Sequence, residues 1–184
     1  MKSWLKIVVL LAVIWAVAGV VIWIVRAAKP TPASVAAFMQ PDRLDGKSPA
    51  ERAKLIDKAA GMLNQLDFDQ RGQLRRDRAQ DKFFRSLTPD EQGRFLDATL
   101  PGGFKQMMES FNKMEPQKRR KFVENALKKM QEHEGDAPPP NLDDKNVQRI
   151  VDQGLKSFYN DANADTKLDL APLIEQMQKS GFAR

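Results

Sequence analysis

The chain contains no cysteine. That excludes disulfides, thiolate metal sites, haem held through thioethers and a lipidated N-terminal cysteine. It has one histidine, His133, and one tyrosine, Tyr159. Paired histidines for zinc are therefore absent, and so is a G-x-S-x-G nucleophile elbow. No stretch alternates apolar and polar residues in the manner of a half-buried strand. No acid occurs among the first 29 residues. Without a credible catalytic set the chain is read as a non-enzyme, with no cofactor.

What the sequence does have, first, is a long apolar run. Residues Ile7 to Val25 carry no charge over nineteen positions. A helix of that length is roughly 28 Å long, close to the hydrocarbon thickness of a bilayer. Trp4 and Trp23 stand near its ends, where indoles favour the interface. Residues 1–29 are therefore expected to form a membrane anchor through residues 7–25. A cleaved signal peptide is the alternative, but its apolar region usually runs about 7–15 residues. The flanking charges, Lys2 and Lys6 before and Arg26 and Lys29 after, are balanced. The general habit of short N-terminal anchors favours the N-terminus inside and the soluble part outside. The expected location is a bacterial inner membrane with a periplasmic domain.

The net charge of +6 is partly that of the anchor, since four basic residues flank it. Beyond residue 29 the chain holds 26 basic against 24 acidic residues, which argues against nucleic acid as a partner. Arg71, Arg75, Arg76 and Arg78 form one basic group. Lys118 to Lys121 with Lys128 and Lys129 form another. Acids are interleaved and stacking aromatics are absent, so both read as solvated helix faces.

Residues 30–46 hold Pro30, Pro32, Pro41 and Gly46 and read as a flexible tether, with a short helical turn at 34–39. Pro138, Pro139 and Pro140 mark a second linker, 135–141. The expected division is a helical domain over 47–134 and a C-terminal helical pair over 142–184. The fold class is all-α: an anchor, a tether and a small helical bundle in two parts. Apolar spacing places helices at about 49–65, 70–86, 89–99, 104–114, from 116, 143–159 and 170–179. Pro101-Gly102-Gly103 reads as a stop between the third and fourth, and His133 as a residue of the fifth helix's last turn, favourable to its dipole.

One pattern recurs, starting at Lys47, Leu87, Met114 and Leu142. A capping residue and usually proline are followed by a basic residue, two apolar residues and an acid. Ser48 with Glu51 and Thr88 with Glu91 form capping boxes, and Pro49 and Pro89 suit the first helical position. The starts lie 40, 27 and 28 residues apart, too uneven for a regular solenoid. Four amphipathic helices with shared start chemistry explain the pattern more simply.

Three motifs invite a chemical reading. Asp161, Asn163 and Asp165, with Leu168, match positions 1, 3, 5 and 8 of a segment that resembles a calcium-binding EF-hand loop. Thr166 stands where the loop's glycine belongs and Pro172 where its bidentate Glu belongs. These three residues are weak metal candidates, and a cation-responsive sensor is the alternative function; a polar turn is the plainer reading. Asp67 to Leu74 echoes the same loop, but Arg71 and Arg78 have the wrong sign for a metal. Gly46-Lys47-Ser48 looks like the end of a P-loop, but Pro41 replaces its first glycine and no strand precedes it.

Phe104, Met107, Met108, Phe111 and Met114 lie at helical spacing and are the candidate partner-binding stripe, since methionine packs adaptably. Core is the competing assignment. The segment Leu87-Thr-Pro-Asp-Glu-Gln92 is similar to helix starts in the periplasmic Spy-like chaperones and heavy-metal sensors, small helical proteins that are sometimes anchored. The likeness covers six residues and is mostly a capping box. That family's metal-binding histidines have no counterpart here. The expected function is a non-enzymatic adaptor, assembly factor or chaperone-like module with a protein partner at the membrane surface.

Overall fold

A computed structural model describes residues 29–132 and 142–179. The apolar run 7–25 and the linker 135–141 lie outside the described residues, as does His133. Among the described residues every regular element is helical, and none is long and apolar enough to cross a membrane. The elements are α1 (Pro32–Phe38), a 3₁₀ turn (Pro41–Leu44), α2 (Pro49–Asn64), α3 (Phe68–Arg76), α4 (Ala79–Arg85), α5 (Pro89–Lys113), α6 (Pro116–Glu132), α7 (Asp144–Asp161) and α8 (Ala164–Lys179).

Local chemistry starts most of these helices. The Ser48 side chain accepts from the Glu51 amide, and the Glu51 carboxylate accepts from the Ser48 amide at 2.9 Å. Thr88 and Glu91 repeat this at α5, again with 2.9 Å for the return bond. Asp67 with Gln70 and Thr31 with Ser34 close two further boxes, which expectation had not included. Each box satisfies amides that a helix start leaves without partners.

Residues 30–46 are not a tether. Thr31 caps α1, and Val35, Met39 and Leu44 are completely or almost completely buried. They pack with Ile56, Leu63, Leu66, Leu74, Phe83 and Phe95 into the N-terminal core. The prolines that suggested a linker begin helices instead: Pro32 opens α1 and Pro41 the 3₁₀ turn, positions where a missing amide costs nothing.

The helix expected over 70–86 is two helices. Arg78 takes a left-handed conformation (φ 54°) between α3 and α4. The break turns both Leu74 of α3 and Phe83 of α4 into the same core.

The largest difference is α5. Pro101, Gly102 and Gly103 do not stop it; it runs 25 residues, about 38 Å. Its first half buries Phe95 in the N-terminal core, and its second half buries Met108 and Phe111 in a C-terminal core with Val123, Phe158 and Leu170. Packing at both ends outweighs the cost of interior proline and glycine. Because Pro101 is exposed, Pro101→Ala is expected to restore an amide donor and raise stability by about 1–3 kcal/mol, readable by urea denaturation. An unchanged or lower midpoint would show that Pro101 does not destabilise the helix.

Helices α2, α5 and α7 lie side by side and run parallel. Along α2 and α5 the contacts Arg52–Glu91, Asp57–Arg94 and Asn64–Ala98 advance together. Along α5 and α7 they are Pro89–Asn146, Asp97–Arg149, Phe104–Gly154 and Asn112–Asp161. Gly93 and Gly154 permit the close approach: a Cβ on Gly93 would meet Asn146 Oδ1 at 3.2 Å, and one on Gly154 the Phe104 ring at 3.3 Å.

This arrangement gives the recurring pattern a physical use. Arg94 of the second copy clasps Asp57 of the first with two bonds of 2.7 Å. Arg149 of the fourth copy pairs with Asp97 of the second through a single bond, from its Nη1. The same two pattern positions, basic and acidic, thus join successive helices. The third copy, on α6, stays out of the row, and its Lys121 and Glu124 are exposed. The C-terminal helices are also no detached pair, because α7 lies along α5 and shares a core with α6.

Candidate functional site

The C-terminal core is incompletely filled. Between α5, α6, α7 and α8 lies a cavity of about 250 Å³ with almost no polar atom on its walls. Phe104, Met107, Met108 and Phe111 of α5 form one side. Met114, the fifth residue of the expected stripe, packs against the same core without lining the cavity. Met108 and Phe111 are buried, whereas Phe104, Met107 and Met114 are half-buried. Four of the five stripe residues therefore wall the cavity, and two of those four, Met108 and Phe111, are also buried core. Phe122 and Ala126 of α6, Ile150 and Leu155 of α7 and Leu173 and Ile174 of α8 contribute further walls. Their helical spacing was visible in the sequence; that they converge on the α5 stripe was not. Gly154, which admits the Phe104 ring, had no sequence signal of its own.

A buried ion pair holds the helices around this cavity. Arg119 of α6 is 4% exposed. Its Nε donates to Asp169 Oδ2 of α8 at 2.8 Å, and its Nη1 donates to the carbonyls of Phe111 (3.2 Å) and Met114 (2.6 Å) at the end of α5. Arg120 reaches Asp169 Oδ1 at 3.2 Å. One guanidinium thus joins three helices. The expectation that Lys118 to Lys121 is a solvated face fails at Arg119, which occupies the inward position of α6.

In the N-terminal half Arg52 plays a related part. It grips Glu91 with two bonds of 2.7 Å and donates to the carbonyls of Leu44 and Ser86. Arg52 and Arg119 stand at the same place in the recurring pattern, the fourth residue of α2 and of α6. The Arg52 hydrogen bonds hold the Glu91 carboxyl below its ordinary value of 4.5, and Arg119, then Arg120, hold Asp169 below 3.8. Lowered carboxyl values mean that the stabilisation is complete above the unfolded-state values and is lost as pH falls through the folded ones. The urea midpoint should therefore stay level from neutral pH to about pH 5 and fall below about pH 4.5. Glu91→Gln should flatten part of that acid limb.

The suggested metal residues serve as turn chemistry. Asp161 is the last residue of α7, and α8 begins at Ala164, so 161–169 is not a loop. The Asp161 carboxylate accepts from Ser157 (2.7 Å), and Asn163 Oδ1 accepts from the Thr166 amide (2.8 Å). Asn112 of α5 staples the turn, donating to the Asp161 carbonyl at 2.8 Å and accepting from the Asn163 amide at 2.9 Å. Lys167 Nζ donates to the Tyr159 carbonyl, placing a cation beside the turn. Asp165 lies in the first turn of α8, favourable to its dipole. Among the described residues no group of three or more His, Cys, Asp or Glu is placed to hold a metal. The P-loop echo is resolved in the same way: Ser48 caps α2, and Pro41 lies in a 3₁₀ turn.

No protein-family model matches the chain, and neither a curated protein nor a solved structure is found to match it. The six-residue likeness to Spy-like helix starts is accounted for by the Thr88–Glu91 capping box. Function must therefore be argued from the cavity and its surroundings.

Proposed function

We propose that this chain is a non-enzymatic binding module held at a membrane surface, acting as an adaptor, assembly factor or chaperone-like protein for a protein partner. Residues 7–25 would span the bilayer with the N-terminus inside, leaving the helical part periplasmic. The observation that carries the reading is the Phe- and Met-walled cavity between α5, α6, α7 and α8. The cavity is partly open and its walls carry almost no polar atom, so a partner's apolar side chain that enters it removes apolar surface from water at little polar desolvation cost. Flexible methionine side chains at its wall adapt to differently shaped guests. Anchoring raises the local concentration of a weak binder for other membrane proteins.

The test is crosslinking of the full-length protein in its native membranes, with residues 1–29 fused to an unrelated domain as control. A photo-crosslinking residue at Met107 should capture a partner that the control does not. Ala126→Leu, which extends a cavity-lining side chain of α6 into the void, should lose that capture while the melting temperature holds or rises. Capture that survives Ala126→Leu, or no capture beyond the control, would end this reading.

A further inference from the structure

A second pocket adjoins the apolar cavity, and its character is different. It measures about 200 Å³, and its wall combines apolar residues such as Leu63, Phe68 and Leu100 with the polar Arg71, Arg75 and Thr99. No Asp or Glu lines it. Phe104 and Met107 line both pockets, so the two share one wall along α5.

Arg71 is a half-buried cation without a carboxylate. Its Nη2 donates to Asn64 Oδ1 at 3.1 Å and its Nε to the Leu66 carbonyl at 3.4 Å. Neither Arg71 nor Arg75 forms an ion pair among the described residues. The acids of the same helix are engaged or turned out: Asp67 caps α3, and Asp69 and Asp77 are exposed. Burial, and then the neighbouring charge of Arg75, lower the pKa of Arg71. Gly103 lets the guanidinium approach α5, since a Cβ there would lie 3.1 Å from Nη1. Two guanidinium groups lining one pocket, one of them half-buried and neither in an ion pair, form a receptor for an anion.

Size points to what that anion carries. Each pocket alone is smaller than the roughly 300–1,000 Å³ of a usual ligand site, and the two together fall inside that range. From Gly103 to Phe111 the α5 axis advances about 12 Å, the reach of a medium-length acyl chain. Met107, one of the two side chains between the pockets, is flexible enough to move aside. We infer that the paired pockets bind a single-chain anionic amphiphile, its head group on Arg71 and Arg75 and its chain in the Phe- and Met-lined cavity. The chain would occupy the space that the protein-partner reading gives to a partner's side chain, so the two are alternative uses of one cavity, and the test here requires no protein partner.

The experiment uses the full-length chain in phosphatidylcholine nanodiscs and a dodecanoate analogue with a diazirine near the chain end. Labelling should map to cavity-lining peptides of α5, α7 and α8. Dodecanoate or lysophosphatidylglycerol should compete, and which is stronger distinguishes a fatty-acid carboxylate from a lipid phosphate. The uncharged dodecyl maltoside and the cationic dodecyltrimethylammonium should compete about tenfold less well, the worth of one charge-assisted contact. Arg75→Gln, at an exposed position, should weaken labelling by a similar factor without altering the circular dichroism spectrum, and Arg71→Gln should weaken it further. Ala126→Leu should abolish labelling of the cavity. Labelling confined to residues 7–25, equal competition by the cationic amphiphile, or indifference to Arg75→Gln would each overturn the inference.

Discussion

A fragment that begins at Lys47, the boundary that the proline and glycine content of residues 30–46 suggests, is expected not to fold stably, whereas one that begins at Lys29 is expected to fold. Removing 30–46 takes away Val35, Met39 and Leu44, which are at most 1% exposed. Each such side chain stabilises by about 1.5–3 kcal/mol when buried, or about 5–9 kcal/mol together as an upper estimate. That is comparable to the whole stability of a typical domain, about 5–15 kcal/mol. The deletion would also uncover Ile56, Leu63 and Leu74, which these residues cover in one core. It would remove the Leu44 carbonyl that accepts from Arg52 at 3.1 Å. Urea denaturation of fragments 29–184 and 47–184, followed by circular dichroism, checks this. Coincident midpoints would show that the N-terminal segment is dispensable. Leu44→Ala in the longer fragment should cost about 2–5 kcal/mol by itself, as other leucine truncations in cores do.

Arg119→Ala is expected to lower stability by about 3–5 kcal/mol, the usual cost of breaking a buried ion pair from one side. The loss has two parts. The Met114 carbonyl at the end of α5 loses the guanidinium donor, and the Phe111 carbonyl is left with the Met114 amide. Asp169 keeps only Arg120, which is 70% exposed and therefore a weak partner. For a domain of this size the melting temperature should fall on the order of 10 °C. Arg119→Lys should rescue little, because a single ammonium cannot reach a carboxylate and two carbonyls in the directions a guanidinium does. Full rescue by lysine would show that charge alone, rather than the fork of donors, holds α6 to α5 and α8. Arg120→Ala should change stability by less than about 1 kcal/mol, as expected for an exposed partner.

These two expectations mark the boundary between what is local and what is not. Helix starts were legible because capping acts within three or four residues. Ser48 with Glu51 and Thr88 with Glu91 need nothing else in the chain, and the structure has both. The helical class was legible for a similar reason, since apolar residues at three-to-four spacing commit a segment to one buried face. The Phe and Met stripe of α5 was legible as an apolar face, but its cavity was not. Its other walls come from α6 and, 40 to 70 residues away in sequence, from α7 and α8.

Wherever the fold departs from local expectation, local preference competes with distant packing. Pro101-Gly102-Gly103 disfavours a helix locally, yet Phe95 before it and Phe111 after it are held in two different cores. Proline-rich residues 30–46 resemble a linker locally, yet Met39 and Leu44 find a core formed by α2 to α5. Arg119 belongs to a basic run, and only its partner Asp169, 50 residues away, shows that it points inward. Asp161, Asn163 and Asp165 have the composition of a cation loop, but Asn112 ties that turn to α5 and the neighbouring helices consume the loop. By itself the sequence determined which segments are helical, where most of them begin and which face each buries. The tertiary structure decided where helices continue or break, which charges are buried and where an unfilled space remains, because those depend on free energies of contact between residues that the chain brings together only on folding.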